Sequence, residues 1–465
     1  MKKTRTRSMP VLMLTLAFFA GLVYFIANLV TNAAQWSSMP QNGHLSDSSG
    51  LENAGIIYDR NGTVLAQSID GQRLYNDDEA VRCACLPVVG DDSVNISTAI
   101  QTVYRSELSG YNFAFGLGLP EAFKSGKNIT LTIDSKVQTA AYEALGSNKG
   151  AVVIYNYKTG EVICMASTPT YDPMNKPDDI NTNDKYDGAY INRAVSAAYP
   201  PGSTFKLVTA AAALENIDGV EKREYDCSGS TEIGGKEINC FEVNGHVDFR
   251  DALMTSCNGY FAHLAVDVGK KDMTEQADKM GFNTNWKFDG IETIKSTYDV
   301  SKAGENELAW SGVGQYTVLE SPMNMAIRSA AIANGGIPVK PMIVKNISMP
   351  FGMNSPDRTS YEGTRMMEKD IAEKISDMMD YTVSNYYGKG AFSYDLDVCA
   401  KTGTAEVSDG GGDAHAWVTG FTKDKDCPLA FAVIVEHGNS GYGAAVPVAS
   451  AALEAAAQSL KNTSD

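Results

Sequence analysis

Tyr199-Pro200-Pro201-Gly202-Ser203-Thr204-Phe205-Lys206 sets a hydroxyl and an amine three residues apart. Two prolines and a glycine halt the chain before an apolar run through Leu207, Val208 and Ala210–Ala213. The spacing therefore predicts a helix over Ser203–Glu215 that begins near Ser203. Free backbone N–H groups and the helix dipole favour negative charge at that end. Lys206, at i+3, can lie over the same face as the hydroxyl. Its apolar surroundings predict partial desolvation, which lowers an amine's pKa and suits it to activate a serine. The plainer alternative is a serine N-cap followed by a surface lysine, because Ser-x-x-Lys alone is a short pattern.

Two further groups could complete such a site. Ser256-Cys257-Asn258 offers a hydroxyl and an amide that point the same way if the local chain is extended. They could relay a proton and hold a substrate amide. Lys401-Thr402-Gly403-Thr404-Ala405-Glu406 falls inside a strand that starts near Asp397. Lys401 and the two threonine hydroxyls make a positive, hydrogen-bonding rim for a carboxylate, and Gly403 would let a ligand's backbone come close. The alternative is a strand turn with a surface lysine.

The elements that must position these residues are legible from periodicity and punctuation. Ile56–Ala66 flanks Asn61-Gly62 with β-branched residues, a hairpin signal. A strand at Ile129–Ile133, a helix at Ser135–Leu145 and a hairpin over Ala151–Ser167 turning at Lys158-Thr159-Gly160 follow. Another helix, Met323–Ala333, ends at Asn334-Gly335-Gly336. Strands are expected at Asp397–Val407, Ala416–Thr422 and Leu429–Glu436, then a helix at Ala449–Leu460. Two strands, long helices, then three strands and a helix imply a mixed α/β (α+β) domain. Its central sheet is antiparallel, flanked by helices, and the two ends of the sequence pair in it.

Lys2, Lys3, Arg5 and Arg7 precede an uncharged run, Val11–Val30. At about 1.5 Å per residue the run reaches about 30 Å, a bilayer's hydrocarbon core. It is longer than a signal peptide's apolar region, although Thr31-Asn32-Ala33-Ala34 offers small residues for cleavage. The basic residues predict a cytoplasmic N-terminus and an extracytoplasmic body in the plasma membrane. The whole chain has 465 residues, 43% of them hydrophobic and 20% charged, which is globular composition. Its net charge of −17 argues against a general nucleic-acid binder, and 5 His and 8 scattered Cys argue against a zinc-finger array or a disulfide-framed miniprotein.

In order and spacing, Ser203-x-x-Lys206, Ser256-x-Asn258 and Lys401-Thr402-Gly403 are the motif triplet of the penicillin-recognising acyl-serine enzymes. The chain resembles the class B penicillin-binding proteins, the monofunctional peptidoglycan transpeptidases, over nearly its whole length after the apolar run. Asp59-Arg60-Asn61-Gly62 with Leu65-Ala66 is similar to that family's N-terminal pedestal signature. Thr130–Ser135 with Gln138, Asn192-Arg193-Ala194, and Gly314-Gln315 with Ser321-Pro322 and Met325-Ala326 are similar to its transpeptidase domain. Ala54 stands before Gly55 where the family usually has Arg, and the pedestal is short.

The resemblance implies a β-lactamase/transpeptidase-like domain at 128–465, a small β-rich pedestal at 54–127, a linker at 31–53, an anchor at 11–30 and a cytoplasmic tail at 1–10. It implies Ser203 as nucleophile, Lys206 as base and Ser256 as proton relay. Asn258 would hold the donor amide, Lys401, Thr402 and Thr404 would receive its carboxylate beside Gly403, and the N–H groups of Ser203 and Thr404 would form the oxyanion hole. Stem peptides ending in D-Ala-D-Ala, acceptor amines, β-lactams and a membrane-embedded glycan polymerase are the implied partners. No cofactor or metal is expected.

A membrane-bound β-lactam sensor and a β-lactamase are the competing functions. The first would be expected to carry several membrane helices or a cytoplasmic signalling domain. The second invites attention to Glu320-Ser321-Pro322-Met323-Asn324, which is close to the Glu-x-x-Leu-Asn of class A β-lactamases but has Met323 at the leucine. Ser321-Pro322 reads better as a helix start. His415 and Cys257 read as structural residues. Cys83-Ala84-Cys85 is too closely spaced for an easy mutual disulfide, whereas Cys227 and Cys240 flank the Gly234-Gly235 turn and could pair.

Overall fold

The computed structural model describes residues 2–37, 51–109, 126–348, 355–392, 396–407 and 413–462. Apart from the short pair Lys287–Phe288 and Ile291–Glu292, the strands in chain order are β1 (Ile57–Tyr58), β2 (Val64–Ile69), β3 (Gln72–Tyr75), β4 (Ile129–Leu131), β5 (Gly150–Asn156), β6 (Val162–Thr168), β7 (Tyr225–Cys227), β8 (Ser230–Ile233), β9 (Lys236–Asn239), β10 (Gly245–Val247), β11 (Val344–Ile347), β12 (Val398–Ala405), β13 (His415–Thr422) and β14 (Leu429–Val435). The longer helices are α1 (Lys2–Ser37), α2 (Glu79–Val89), α3 (Ser135–Leu145), α4 (Lys206–Asn216), α5 (Asn258–Lys279), α6 (Glu305–Gly312), α7 (Pro322–Ala333), α8 (Lys369–Thr382) and α9 (Val446–Asn462).

Within α1, Met9–Asn28 has mean hydropathy 2.2 and none of it is buried in the protein. It is the single candidate membrane span among the described residues. Most of the expected linker, 38–50, lies outside the described residues.

The Asn61-Gly62 hairpin forms because Asp59 Oδ1 accepts the N–H groups of Asn61 and Thr63, both at 2.8 Å, while Gly62 takes φ 86°. Its strands enter a five-stranded sheet in the order β11-β4-β1-β2-β3. That sheet joins the hairpin to two segments of the transpeptidase-like sequence that are far apart in the chain, through the parallel β1–β4 pair and the antiparallel β4–β11 pair.

The second five-stranded sheet runs β12-β13-β14-β5-β6, antiparallel throughout. Leu429 pairs with Asn156 and Val435 with Gly150, so the C-terminal strands close on the early hairpin as the sequence implies. All residues of β6, β13 and β14 are buried, and the run of apolar residues in these strands follows from helices covering both faces. One face packs Val152, Ile154 and Val433 with Val137, Ala141 and Leu453 of α3 and α9. The other packs Val153, Trp417 and Ile434 with Ile327 of α7 and with α4.

The chain from Lys206 to Ala213 is buried on every side, so α4 is a central helix. Small side chains at Ala210–Ala213 let its neighbours approach closely. Two elements have no clear signal in the sequence: α2, capped by Asp78 and stopped at Gly90, and α5, interrupted at Gly269 (φ 82°).

Candidate active site

The turn that carries Ser203 is a 3-10 segment, Gly202–Phe205, and the α-helix proper begins at Lys206. The tighter turn follows from packing. Gly202 has φ 54°, and a Cβ there would lie 2.4 Å from Thr404 O. Gly403 abuts the same turn, since its Cβ would meet Pro201 O at 2.7 Å. Gly403 thus serves close packing of β12 on the serine turn, where the sequence suggested ligand approach.

Behind the turn, Trp417 Nε1 donates to Pro200 O at 2.9 Å. Tyr199 OH and Arg193 Nε each donate to Glu436 Oε1 at 2.7 Å. Tyr199 also exchanges backbone hydrogen bonds with Glu320. These contacts fix a partly exposed Ser203 at the head of a buried helix.

Lys206 has no exposed surface. Its Nζ donates to Ser256 O at 2.5 Å, Ser256 Oγ at 3.0 Å and Asn258 Oδ1 at 2.7 Å. Lys401, equally enclosed, reaches in from β12 and donates to Ser256 Oγ at 3.0 Å and Thr402 O at 3.0 Å. Four of the residues singled out by sequence, Lys206, Ser256, Asn258 and Lys401, therefore meet in one hydrogen-bonded cluster. Ser256 is not extended: at φ 57° it makes the left-handed bend between helix Phe249–Met254 and α5. Asn258 opens α5, and its Nδ2 donates to Asn239 O at 2.7 Å.

Burial lowers the Lys206 pKa from 10.5 to about 7, partly offset by the nearby Cys257 and Cys240. Lys401 is driven well below its ordinary value by burial, then by the charge of Lys206. Neither amine faces a carboxylate in the cluster, so two full ammonium charges around one hydroxyl are disfavoured. With one charge lost, Ser256 Oγ can accept from the amine that keeps its proton and donate to the neutral one.

On β12, Thr402 N–H donates to Tyr387 OH at 2.9 Å, and Thr402 Oγ1 shares a 2.7 Å hydrogen bond with the same phenol. Thr402 N–H therefore points away from β13. By the alternation of strand N–H groups, Thr404 N–H points to the same outer edge, which no described strand occupies. Thr404 is exposed and its Oγ1 accepts from Gly441 N at 3.5 Å. Tyr387, in the turn after α8, had no motif to reveal it.

Glu320 sits beneath the site with no exposed surface, bonded to Arg328 at 2.8 Å and to Asn324 Nδ2 at 2.9 Å. Arg328 in turn donates to Thr204 O at 3.4 Å. Glu320 is a structural ion-pair partner, and Ser321 caps α7 as the helix-start reading expects. His415 begins β13 and packs edge-on to Tyr199, its ring centroid 5.4 Å away.

A serine turn, a Ser-x-Asn loop and a Lys-Thr-Gly edge strand set around one antiparallel sheet define the class of penicillin-recognising serine proteins. The chain belongs to the penicillin-binding protein transpeptidase family: residues 150–454 match the penicillin binding protein transpeptidase domain. Peptidoglycan D,D-transpeptidase PbpA of Mycobacterium tuberculosis is 29% identical over 441 residues, covering 85% of this chain and 88% of the relative. Stage V sporulation protein D of Bacillus subtilis is 30% identical over 340 residues, covering 67% of this chain and 51% of that protein. Among solved structures, the ceftriaxone acyl-enzyme of M. tuberculosis penicillin-binding protein A superposes with TM-score 0.76 at 26% identity, over 88% of this chain and 99% of that one. The D,D-transpeptidase domain of a peptidoglycan glycosyltransferase from Eggerthella lenta gives TM-score 0.75 at 28% identity, over 88% and 99%.

Proposed function

We propose that this protein is a peptidoglycan D,D-transpeptidase acting through a Ser203 acyl-enzyme. The observation that carries the reading is the sharing of Ser256 Oγ by two buried lysines beside the serine turn. Neutral Lys206 takes the Ser203 proton as Oγ attacks the donor's penultimate carbonyl. The carbonyl oxygen develops charge against the N–H groups of Ser203 and Thr404. Ser256 passes the proton to the leaving D-alanine amine, and Asn258 holds the donor amide. Lys401, Thr402 and Thr404 take the terminal carboxylate, whose charge keeps Lys401 protonated and leaves Lys206 the neutral partner. An acceptor amine then attacks the acyl-serine and forms the cross-link.

β-Lactams enter the same sequence but keep their leaving group attached. Glu320, enclosed and paired with Arg328, is not placed to activate a deacylating water, which disfavours the β-lactamase reading. The apolar span supports a single-pass membrane anchor. With the basic residues before it, the body lies outside the plasma membrane in this reading, residues 54–127 serve as its pedestal, and a membrane-embedded glycan polymerase is its partner. The test is labelling with fluorescent penicillin and intact-mass timing after drug removal. One adduct that maps to Ser203, persists for many minutes and is lost in Ser203→Ala is expected. Rapid turnover, or undiminished labelling of Ser203→Ala, would overturn the assignment.

A further inference from the structure

Behind the Ser256–Asn258 loop lies a group of side chains that acyl transfer does not use. Cys227 ends β7, Cys240 follows β9, and Cys257 sits between Ser256 and Asn258. They come from three nearby segments of the chain, and their sulfurs all lie within 4.8 Å of one another. Cys227 and Cys240 are 3.6 Å apart, and Cys240 and Cys257 are 3.8 Å apart. All three are free thiols.

A disulfide joins two sulfurs and leaves the third idle, whereas here Cys240 is nearly equidistant from both neighbours. The spacing suits an ion instead. Ligands about 2.3 Å from a tetrahedral zinc stand about 3.8 Å from each other. One backbone N–H already points at these sulfurs: Gly259 N donates to Cys240 Sγ at 3.4 Å, while the Asn244 amide lies 3.4 Å from Cys227 Sγ. Such a donor stabilises a thiolate ligand from the outer layer of a metal site.

Asn244 adds an independent observation, because its Oδ1 is buried with no hydrogen-bond partner. A buried amide oxygen left unpaired is costly. Turning the amide over presents that oxygen to the sulfurs. Cys240 is the partly exposed member of the group, so an ion can reach the site from its side.

We propose that Cys227, Cys240 and Cys257, with the Asn244 amide oxygen at the fourth position, bind a thiophilic divalent cation of the zinc class. No step of acyl transfer runs through this ion. It ties the Ser256–Asn258 loop to the β7–β9 arm, reinforcing the Asn258-to-Asn239 hydrogen bond already there. Linear spacing pointed to Cys227 and Cys240 as a possible pair, but not to Cys257, which joins them from a separate segment.

The test uses the full chain in detergent, reduced and then titrated with Co2+ followed by Zn2+. One cobalt per chain with a thiolate-to-cobalt charge-transfer band, bleached by zinc, is expected. The band should be lost in Cys240→Ser and in Cys227→Ser and kept in Cys83→Ser. Should those variants fold poorly, alkylation mapping of the unaltered chain decides: zinc should block modification of Cys240, and a chelator should restore it. Absence of the band, its persistence in both variants, equal alkylation with and without zinc, or a native Cys227–Cys240 disulfide would overturn the site. These readouts do not involve penicillin, so they stand apart from the transpeptidase reading. The bracing role is overturned separately if zinc-loaded and chelated protein acylate at the same rate.

Discussion

Lys206 is a base only while it lacks a proton, so its environment sets the pH at which the serine can react. With its pKa lowered from 10.5 to about 7, the amine is neutral above about 7 in the folded chain and charged up to about 10.5 in the unfolded one. The unfolded chain therefore binds more protons across that window, and this group's penalty on stability shrinks as pH rises through it. The rate of acylation by penicillin should climb with pH through a limb near 7. Lys206→Met should abolish that limb and slow acylation about 10²- to 10⁴-fold, while raising the melting temperature because a buried amine with no facing carboxylate is gone. An unchanged pH profile in that variant would remove Lys206 from the chemistry. Tyr387 makes a smaller prediction. Tyr387→Phe deletes two hydrogen bonds to Thr402, so carboxylate binding should weaken several-fold in acylation kinetics, with about 1 kcal/mol lost from stability by denaturant titration.

The serine turn is held between β12 and α7, and both contacts can be probed. Gly403→Ala drives a methyl group against Pro201 O, 2.7 Å from where its Cβ must lie, so β12 should shift and acylation and stability should fall together. Glu320→Gln leaves Arg328 enclosed without its counter-charge, which should cost about 3–5 kcal/mol in urea unfolding. The lifetime of the penicillin adduct should stay the same, and a changed deacylation rate would return Glu320 to a hydrolytic role. These elements also show what a sequence discloses. Gly and Pro punctuation and apolar periodicity are local, and they marked α3, α7, the β5–β6 hairpin and the three late strands to within a few residues. Ser203, Lys206, Ser256, Asn258 and Lys401 were visible because their spacing is a pattern. The left-handed bend at Ser256, the Tyr387 clamp and the approach of Cys257 to the Cys227–Cys240 pair depend on packing between segments, and no local signal encodes them.

At the scale of the molecule, the apolar stretch of α1 is separable from the catalytic body. No residue of Met9–Asn28 is buried in the protein. Deleting residues 1–50 should therefore give a chain that is soluble without detergent and takes up penicillin at the parental rate. A truncated chain that folds but no longer labels would show that α1 contributes to the site.

The pairing of β14 with β5 has a further consequence, for the timing of synthesis. Ser203 and Lys206 leave the ribosome early, but Lys401 is held in place by β12, which reaches the early hairpin only through β13 and β14. Joining residues 150–156 to 429–435 closes a very long loop, a slow and non-local step. Until it closes, the serine turn lacks β12 and with it Lys401. A chain delivered N-terminus first should thus carry its proposed nucleophile in an unfinished site until the last strands pair.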